Sequence, residues 1–482
     1  MEKAITRFAP SPTGYIHIGN VRSAIYPYLV AKQTGGKMIL RIEDTDQARF
    51  VEGATELIED TLKWLGLDWD EGPIVGGENG PYFQTERKSI YLEWAKKLLA
   101  TGRAYADPTP SETIDEYRNA DNAAKIPYLY RNHRPDTNIE WQEGMPIRFK
   151  ADPKPYDYHD EVFGDLHVGP ETQDDIILIK KDGLPTYNFA HIVDDACMHV
   201  THVMRGQEYL SSMGNYLALY EALDLPRPVF VHLPHILAPT GNKKLGKRDG
   251  AKSVTEYRAD GILPEAMLNY LTMLGWNAGE GSEQEIYTKD ELIQKFSLAH
   301  IQKSGARYDE VKLLWMNGQW IRRIAEEQGI DELYTRTEGF WPEEASTASV
   351  DYKKKVLSII YDRLKTMSDL RDMTIYFFAD PAIDLEQIIN NKFLKKFSEA
   401  EIETLLKKSI AKLSEVSDWT ADNLQNVLND LLVETETKPA ELFSLIRLSL
   451  SFAPFSPALH LTLETLGRDT ALARLNAVAR AI

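Results

Sequence analysis

Two stretches far apart in the chain carry side chains suited to a polyphosphate. One is Arg7-Phe8-Ala9-Pro10-Ser11-Pro12-Thr13-Gly14-Tyr15-Ile16-His17-Ile18-Gly19-Asn20; the other is Lys243-Lys244-Leu245-Gly246-Lys247-Arg248-Asp249-Gly250. Glycines let a backbone approach a nucleotide and turn with positive φ, while imidazole and ammonium groups meet phosphate charge. Taken alone, His17-Ile18-Gly19-Asn20 is a weak pattern, and a helix cap without chemistry reads as well. A basic turn such as the second stretch is, by itself, more often a solvated surface. The two together, in this order, favour nucleotide chemistry.

The elements that must position them can be read from the surrounding pattern. Ala4 to Ala9 is a short β-prone run that breaks at Pro10 and Pro12, so the first stretch lies on a loop leaving a strand. Val21 to Thr34 reads as the following helix, against the objection of Pro27 in its interior. Gly35-Gly36 ends it, and Lys37 to Ile42 is a second strand. Strand, loop, helix, strand is a βαβ unit of a doubly wound sheet, with a phosphate loop at the helix N-terminus. From Pro108 to about Pro185 the pattern is irregular and reads as an insertion; parallel-sheet signals return with Ile176-Ile177-Leu178-Ile179 and Val229-Phe230-Val231. Beyond Arg322 the character is helical, with Val356, Ile359, Ile360 and Leu364, and then Ile402, Leu405, Leu406 and Ile410, at helical spacing.

Composition bounds the rest. A chain of 482 residues, 43% hydrophobic and 27% charged, suggests about three ordinary domains. No apolar run is long enough for a transmembrane helix, and the first motif begins too near Met1 to leave room for a leader, so a cytoplasmic protein is expected. The single cysteine, Cys197, excludes an internal disulfide and a Cys-rich zinc site, and reads as a small buried residue. A net charge of −18 opposes nucleic-acid binding overall. Local clusters offset it: Lys243 to Arg248, Lys353-Lys354-Lys355 with Arg363 and Lys365, and Lys392, Lys395 and Lys396.

Jointly the motifs resemble the two signatures of class I aminoacyl-tRNA synthetases, and the text around them resembles the glutamyl enzymes of bacterial type. The family's His-Ile-Gly-His reads His17-Ile18-Gly19-Asn20 here, and its Lys-Leu-Ser-Lys-Arg reads Lys244-Leu245-Gly246-Lys247-Arg248, glycine replacing the serine. Further matches are Arg41-Ile42-Glu43-Asp44-Thr45-Asp46, Pro185 to Ala190, Thr201 to Glu208, and Leu472-Ala473-Arg474-Leu475. The segment from Arg7 to Gly14 looks like the glutamyl version rather than the glutaminyl one.

The resemblance implies a Rossmann-like α/β catalytic domain in residues 1–107 and 186–240, split by an α+β insertion over 108–185 that grips the acceptor end. A stem-contact domain over 241–321 and an all-α anticodon-binding region over 322–482 complete it. His17, Gly19, Lys244, Lys247 and Arg248 become catalytic, and Pro10, Asn20, Glu208, Leu245 and Gly246 join them around ATP. Glutamate carries two carboxylates and an ammonium, and Arg7, Arg205 and Glu43 supply the complementary charges. By resemblance Arg7 and Tyr187 take the side-chain carboxylate, Arg205 the α-carboxylate, and Ser11 and Glu43 the amino group, with Ala9 beside them. His191 either lines this pocket or is a packed histidine.

ATP would arrive with Mg²⁺; no dedicated metal ligands and no structural zinc are expected, since no cysteine lies near Ala104 to Asp107, where some relatives bind zinc, and a lone His133 cannot form a site. The implied reaction joins L-glutamate to tRNA(Glu) through glutamyl-adenylate, by a monomeric enzyme without membrane contact; the sequence does not decide whether tRNA(Gln) is accepted as well. Other readings are a queuosine-type enzyme, a glutaminyl ligase, a small-molecule adenylyltransferase and a catalytically dead tRNA binder. The long helical tail argues against the first and third, the lack of C-terminal β-barrel signals against the second. The joint presence of His17, Lys244, Lys247, Glu43 and Arg205 argues against the last.

Overall fold

In the computed structural model the described residues are 2–14, 16–246, 252–279, 281–453 and 456–482. Lys247 and Arg248 of the second motif lie outside them. The chain forms two compact units, one of residues 1–257 with 267–310, the other of 258–266 with 311–482. The units part in the first turn of helix Glu310–Glu327; the expected division at 321/322 falls within that helix.

The first unit is built on strands β1 (Ile5–Phe8) and β2 (Lys37–Leu40), parallel from Ile5↔Lys37 to Phe8↔Leu40 and joined by helix Ile18–Thr34. The helix begins earlier than the apolar spacing alone suggests because His17 caps it, and it ends at Gly35 in the left-handed region. Pro27 does not interrupt it: the residue is buried, and Thr6 Oγ1 on β1 donates to its carbonyl at 2.9 Å. Tertiary packing outweighs the lost backbone bond.

After β3 (Ala104–Ala106), residues 108–185 contribute β4 (Ile147–Phe149), the hairpin β5 (Tyr156–Asp160) and β6 (Gly164–Val168), and β7 (Ile177–Ile179). Order β3-β4-β7 makes a separate antiparallel sheet. The parallel reading of Ile176 to Ile179 is thereby corrected: a short continuous apolar run reports burial on both faces but not strand direction. β3 also joins this sheet although it precedes residue 108. Two ion pairs tie it together, Arg148 with Asp107, both buried, and the half-buried Arg134 with the buried Asp175, and the hydroxyls of Tyr130 and Tyr105 donate to the same carboxylates at 2.8 Å.

β8 (His202–Gly206) and β9 (Val229–Leu233) are parallel, and Thr201 N–H donates to Ile5 O at 2.8 Å, which sets β8 beside β1. β5 pairs with β9 through Asp160 and Phe230. Ile39, Phe149, Leu178, Phe189, Ile192, Leu217 and Phe230 share one buried core. Two helices cover it, Tyr187–Cys197 and Met213–Ala222.

The second unit has no strand among its described residues. Helices Val350–Ile360 and Glu399–Ser414 carry the expected apolar faces, and Leu406, Leu428, Leu445, Leu463 and Leu475 are fully buried. No helix among the described residues is long and apolar enough to cross a membrane, and no group of three or more His, Cys, Asp or Glu gathers to hold a metal.

Candidate active site

His17 folds back over the start of its helix. Its Nδ1 accepts from Gly19 N–H at 3.1 Å and Asn20 N–H at 3.3 Å, and Asn20 Oδ1 accepts from His17 N–H at 3.4 Å. The cap and the chemical reading of the motif therefore coincide. A Cβ at residue 19 would stand 2.9 Å from His17 Cε1, so glycine is what lets the imidazole take this place. With Nδ1 accepting, the proton sits on Nε2. Burial lowers the His17 pKa, Lys244 lowers it further, and Glu208 offsets part of this. The ring is a neutral donor rather than a cation or a base.

Around it lies a cavity of about 180 Å³, lined among others by Asn20, Glu208, Lys244, Leu245 and Gly246. Lys244 Nζ is 3.5 Å from Glu208, and His235 Nδ1 is 3.7 Å from the same carboxylate. His235, Lys252, Ser253 and Arg22 also line the cavity and were not singled out from sequence. Arg22 is buried and donates to the carbonyls of Leu274 and Pro234, so it braces the floor.

A second cavity of about 570 Å³ is lined by Ser11, Glu43, Thr45, Asp46, Lys180, Tyr187 and Tyr209 among others. Glu208 and Tyr209, neighbours on one turn, thus face the two cavities. Pro10, on the loop after β1, accepts from Glu43 N–H at 3.0 Å, and Ala9 precedes it, half-buried.

Beneath this cavity run buried charges. Arg7 Nε is 3.2 Å from Asp195 and its Nη1 donates to Met204 O at 2.9 Å. Arg41 reaches Asp195 at 2.7 Å and Glu43 at 3.0 Å, with Asp194 at 3.6 Å; Arg87 holds Asp194 at 2.7 Å. Three guanidiniums face three carboxylates. Burial raises the Asp195 pKa, but Arg7 and Arg41 outweigh it and hold the carboxyl at about 2. Burial pushes Glu43 up, against Arg41 and Arg7. Arg7, to which the resemblance gave the substrate's side-chain carboxylate, is only 4% exposed and pairs with Asp195. Asp194 and Asp195 were legible only as an acidic pair in an apolar helix.

Arg205 differs. It is 6% exposed, and among the described residues no carboxylate meets it. Its Nε donates to His232 Nε2 at 3.2 Å, its Nη1 to His191 Nε2 at 3.1 Å, and its Nη2 to Met213 Sδ at 3.3 Å. The rings of Tyr209 and Tyr216 lie 5.0 and 4.6 Å from the guanidinium carbon. Tyr187 stacks between His191 and Tyr209, with centroid distances of 4.9 and 5.0 Å. Cys197 is half-buried, and burial raises its thiol pKa, which does not suit a nucleophile.

Residues 3–315 match the family described as tRNA synthetases class I (E and Q), catalytic domain, and residues 332–479 match an anticodon binding domain. The chain is 41% identical to a glutamate–tRNA ligase of Clostridium botulinum, over 98% of this chain and 97% of that one. It is 39% identical to a glutamate–tRNA ligase of Dehalococcoides mccartyi, with the same coverage. A crystal structure of a glutamate tRNA ligase from Elizabethkingia meningosepticum in complex with its amino acid superposes with a TM-score of 0.88, at 33% identity over 99% of each chain. With a βαβ loop capped by His17, a cavity shared by Lys244 and Glu208, and a helical C-terminal unit, the chain belongs to the class I (E and Q) family of tRNA synthetases.

Proposed function

We propose that the chain is a glutamate–tRNA ligase that activates L-glutamate with ATP and transfers it to the terminal adenosine of tRNA(Glu). The observation that carries the choice of amino acid is Arg205, a buried cation above a layer whose other charges cancel. Glutamate brings a net charge of −1 and glutamine none, so a site with one uncompensated positive charge favours glutamate. Arg205 takes one carboxylate, Glu43 and Ser11 take the amino group, and Tyr187, which lines the same cavity, bounds the side chain.

In the first step a carboxylate oxygen bonds to the α-phosphorus, the bond to the bridging oxygen breaks, and pyrophosphate leaves. No proton moves, so the site works by alignment and charge. His17 Nε2–H and Lys244 meet the phosphates, Mg²⁺ arrives with the nucleotide, and Lys247 and Arg248 complete the basic loop. The insertion at 108–185 would hold the acceptor end, 241–321 the stem, and 322–482 the anticodon, in a monomer working in the cytoplasm.

Pyrophosphate exchange into ATP, with glutamate or glutamine and with or without total tRNA, tests this. Exchange that needs glutamate and tRNA together is expected. Exchange with glutamate alone would point to the queuosine-type activity, and support by glutamine or no exchange would overturn the reading. Charging purified tRNA(Glu) and tRNA(Gln) side by side then measures tRNA choice.

A further inference from the structure

Arg205 is held by nitrogen lone pairs rather than by oxygen anions, and the tautomers that supply those lone pairs are fixed from behind. His232 Nδ1 is 2.7 Å from Asp160 Oδ2, which leaves its Nε2 bare toward Arg205 Nε. Asp160 is itself saturated: Oδ1 accepts from Val162 and Phe163 N–H at 3.0 and 2.9 Å, and Oδ2 also accepts from His232 N–H at 3.1 Å. His191 repeats the arrangement on another element, with Nδ1 donating to Tyr187 O at 2.9 Å and Nε2 accepting from Arg205 Nη1. Both rings and Asp160 are essentially inaccessible to solvent.

We propose that His232, backed by Asp160, and His191 are positioning residues for the amino-acid substrate: they aim the Arg205 guanidinium with neutral acceptors, so that its charge stays unspent until a substrate carboxylate arrives. A carboxylate at either position would hold the group as firmly but would pair with it, and the substrate would then compete with a built-in anion. Three neutral acceptors, the two imidazoles and the Met213 thioether, and two aromatic faces fix the plane and leave one N–H on each terminal nitrogen for a carboxylate, with the Tyr187 hydroxyl beside the group. Asp160 lies at the end of β5, within the inserted region, so that region helps to set the amino-acid site.

The surroundings keep the rings neutral. Burial lowers the pKa of His191, and Arg205 adds to this; Asp195 opposes it and Arg7 acts with Arg205, while the rings of Tyr187 and Tyr216 pack against it. Burial lowers His232 as well, with Asp160 opposing and Arg205 and Arg7 adding to the effect, and Phe230 lies against its ring. A proton on either Nε2 would abolish an acceptor and set a like charge beside Arg205.

The inference rests on Arg205 meeting a substrate carboxylate, and the test separates the two. In tRNA-dependent exchange, His232→Phe and His191→Phe should each raise the glutamate KM by about tenfold or more, the cost of a hydrogen bond to a charged group. The KM values for ATP and tRNA should stay within about twofold of wild type, since those substrates do not meet Arg205. His191→Asn and His232→Gln, which offer an amide oxygen of similar reach, should recover part of the loss. Thermal melts of each variant confirm that it is folded, and the amide variants serve if a phenylalanine variant is not. Unchanged glutamate KM in both phenylalanine variants, or a parallel rise for all three substrates, overturns the proposal. If Arg205→Ala itself leaves glutamate KM unchanged, the reading of Arg205 fails first; if only the histidine variants are silent, the positioning role alone fails.

Discussion

Arg7, Arg41 and Arg87 on one side, and Arg205 on the other, are equally buried and differ in what faces them. The first three share Glu43, Asp194 and Asp195; Arg205 has imidazole nitrogens, a thioether and two aromatic rings. A buried charge that is already balanced belongs to the frame. A buried charge kept unbalanced is expensive, and its persistence points to a substrate that supplies the missing partner.

The sharpest way to break this contrast is to remove the anion shared by Arg7 and Arg41. Asp195→Asn leaves two guanidiniums facing a neutral amide and should cost about 3–5 kcal/mol, read as a lower urea midpoint at pH 7.5. A loss below about 1 kcal/mol would mean that the layer is not the frame described here.

Arg205→Met should behave in the opposite sense. Methionine fills much of the same volume without a desolvated charge, so stability should be unchanged or higher. Glutamate KM should rise by about a hundredfold, corresponding to nearly 3 kcal/mol of lost charge-assisted bonding. If the variant instead unfolds as readily as Asp195→Asn, the two classes of arginine are not distinct.

Acid titration sharpens the comparison further. Asp195 has a folded pKa of about 2 against an ordinary 3.8. Its stabilisation is therefore complete above pH 4 and is lost as pH falls toward 2, by about 2 kcal/mol. His191 and His232 have lowered folded pKa values, so the unfolded chain takes up protons first as pH falls through 6.5 and stability begins to drop there. Urea midpoints at a series of pH values should show that earlier decline in the wild type, weaker in His191→Asn, and the later one only while Asp195 is present.

Much of this was legible in the chain. The β1, helix and β2 order follows from local pattern, and so does the helical second unit, because apolar periodicity and turn residues act within a few positions. His17, Lys244 and Glu43 were singled out through the resemblance of their motifs, and the structure places the first two at one cavity and the third at another. The direction of Ile177–Ile179 was not, since a buried strand reads alike in parallel and antiparallel sheets. Nor were the partners of Arg7 and Arg205. Asp195 is 188 positions from Arg7, and the Asp160–His232 pair spans 72, so each depends on how distant strands register rather than on anything local. His232 in particular stands in an apolar strand with no sequence feature to mark it.

The same contrast recurs in the second unit, where its energetic scale is smaller. Arg474 uses four of its five N–H groups, bonding the carbonyls of Tyr376, Leu450 and Ala379 at 2.8, 2.9 and 3.0 Å and Asp380 at 2.9 Å. Arg447 is half-buried and, among the described residues, no carboxylate pairs with it; burial together with the neighbouring Arg363 lowers its pKa. If the argument made for Arg205 extends to this unit, Arg474 is frame and Arg447 would meet an anion, which in a unit matching an anticodon binding domain would be an RNA phosphate. Arg447→Leu should raise the KM for tRNA several-fold, by roughly 1 kcal/mol, with that shift shrinking at high salt and glutamate KM unchanged. Arg474→Leu should instead lower the melting temperature. If Arg447→Leu lost stability and kept its tRNA KM, a guanidinium without a carboxylate partner would no longer mark a ligand in this protein, and the reading of Arg205 would have to stand on its kinetics alone.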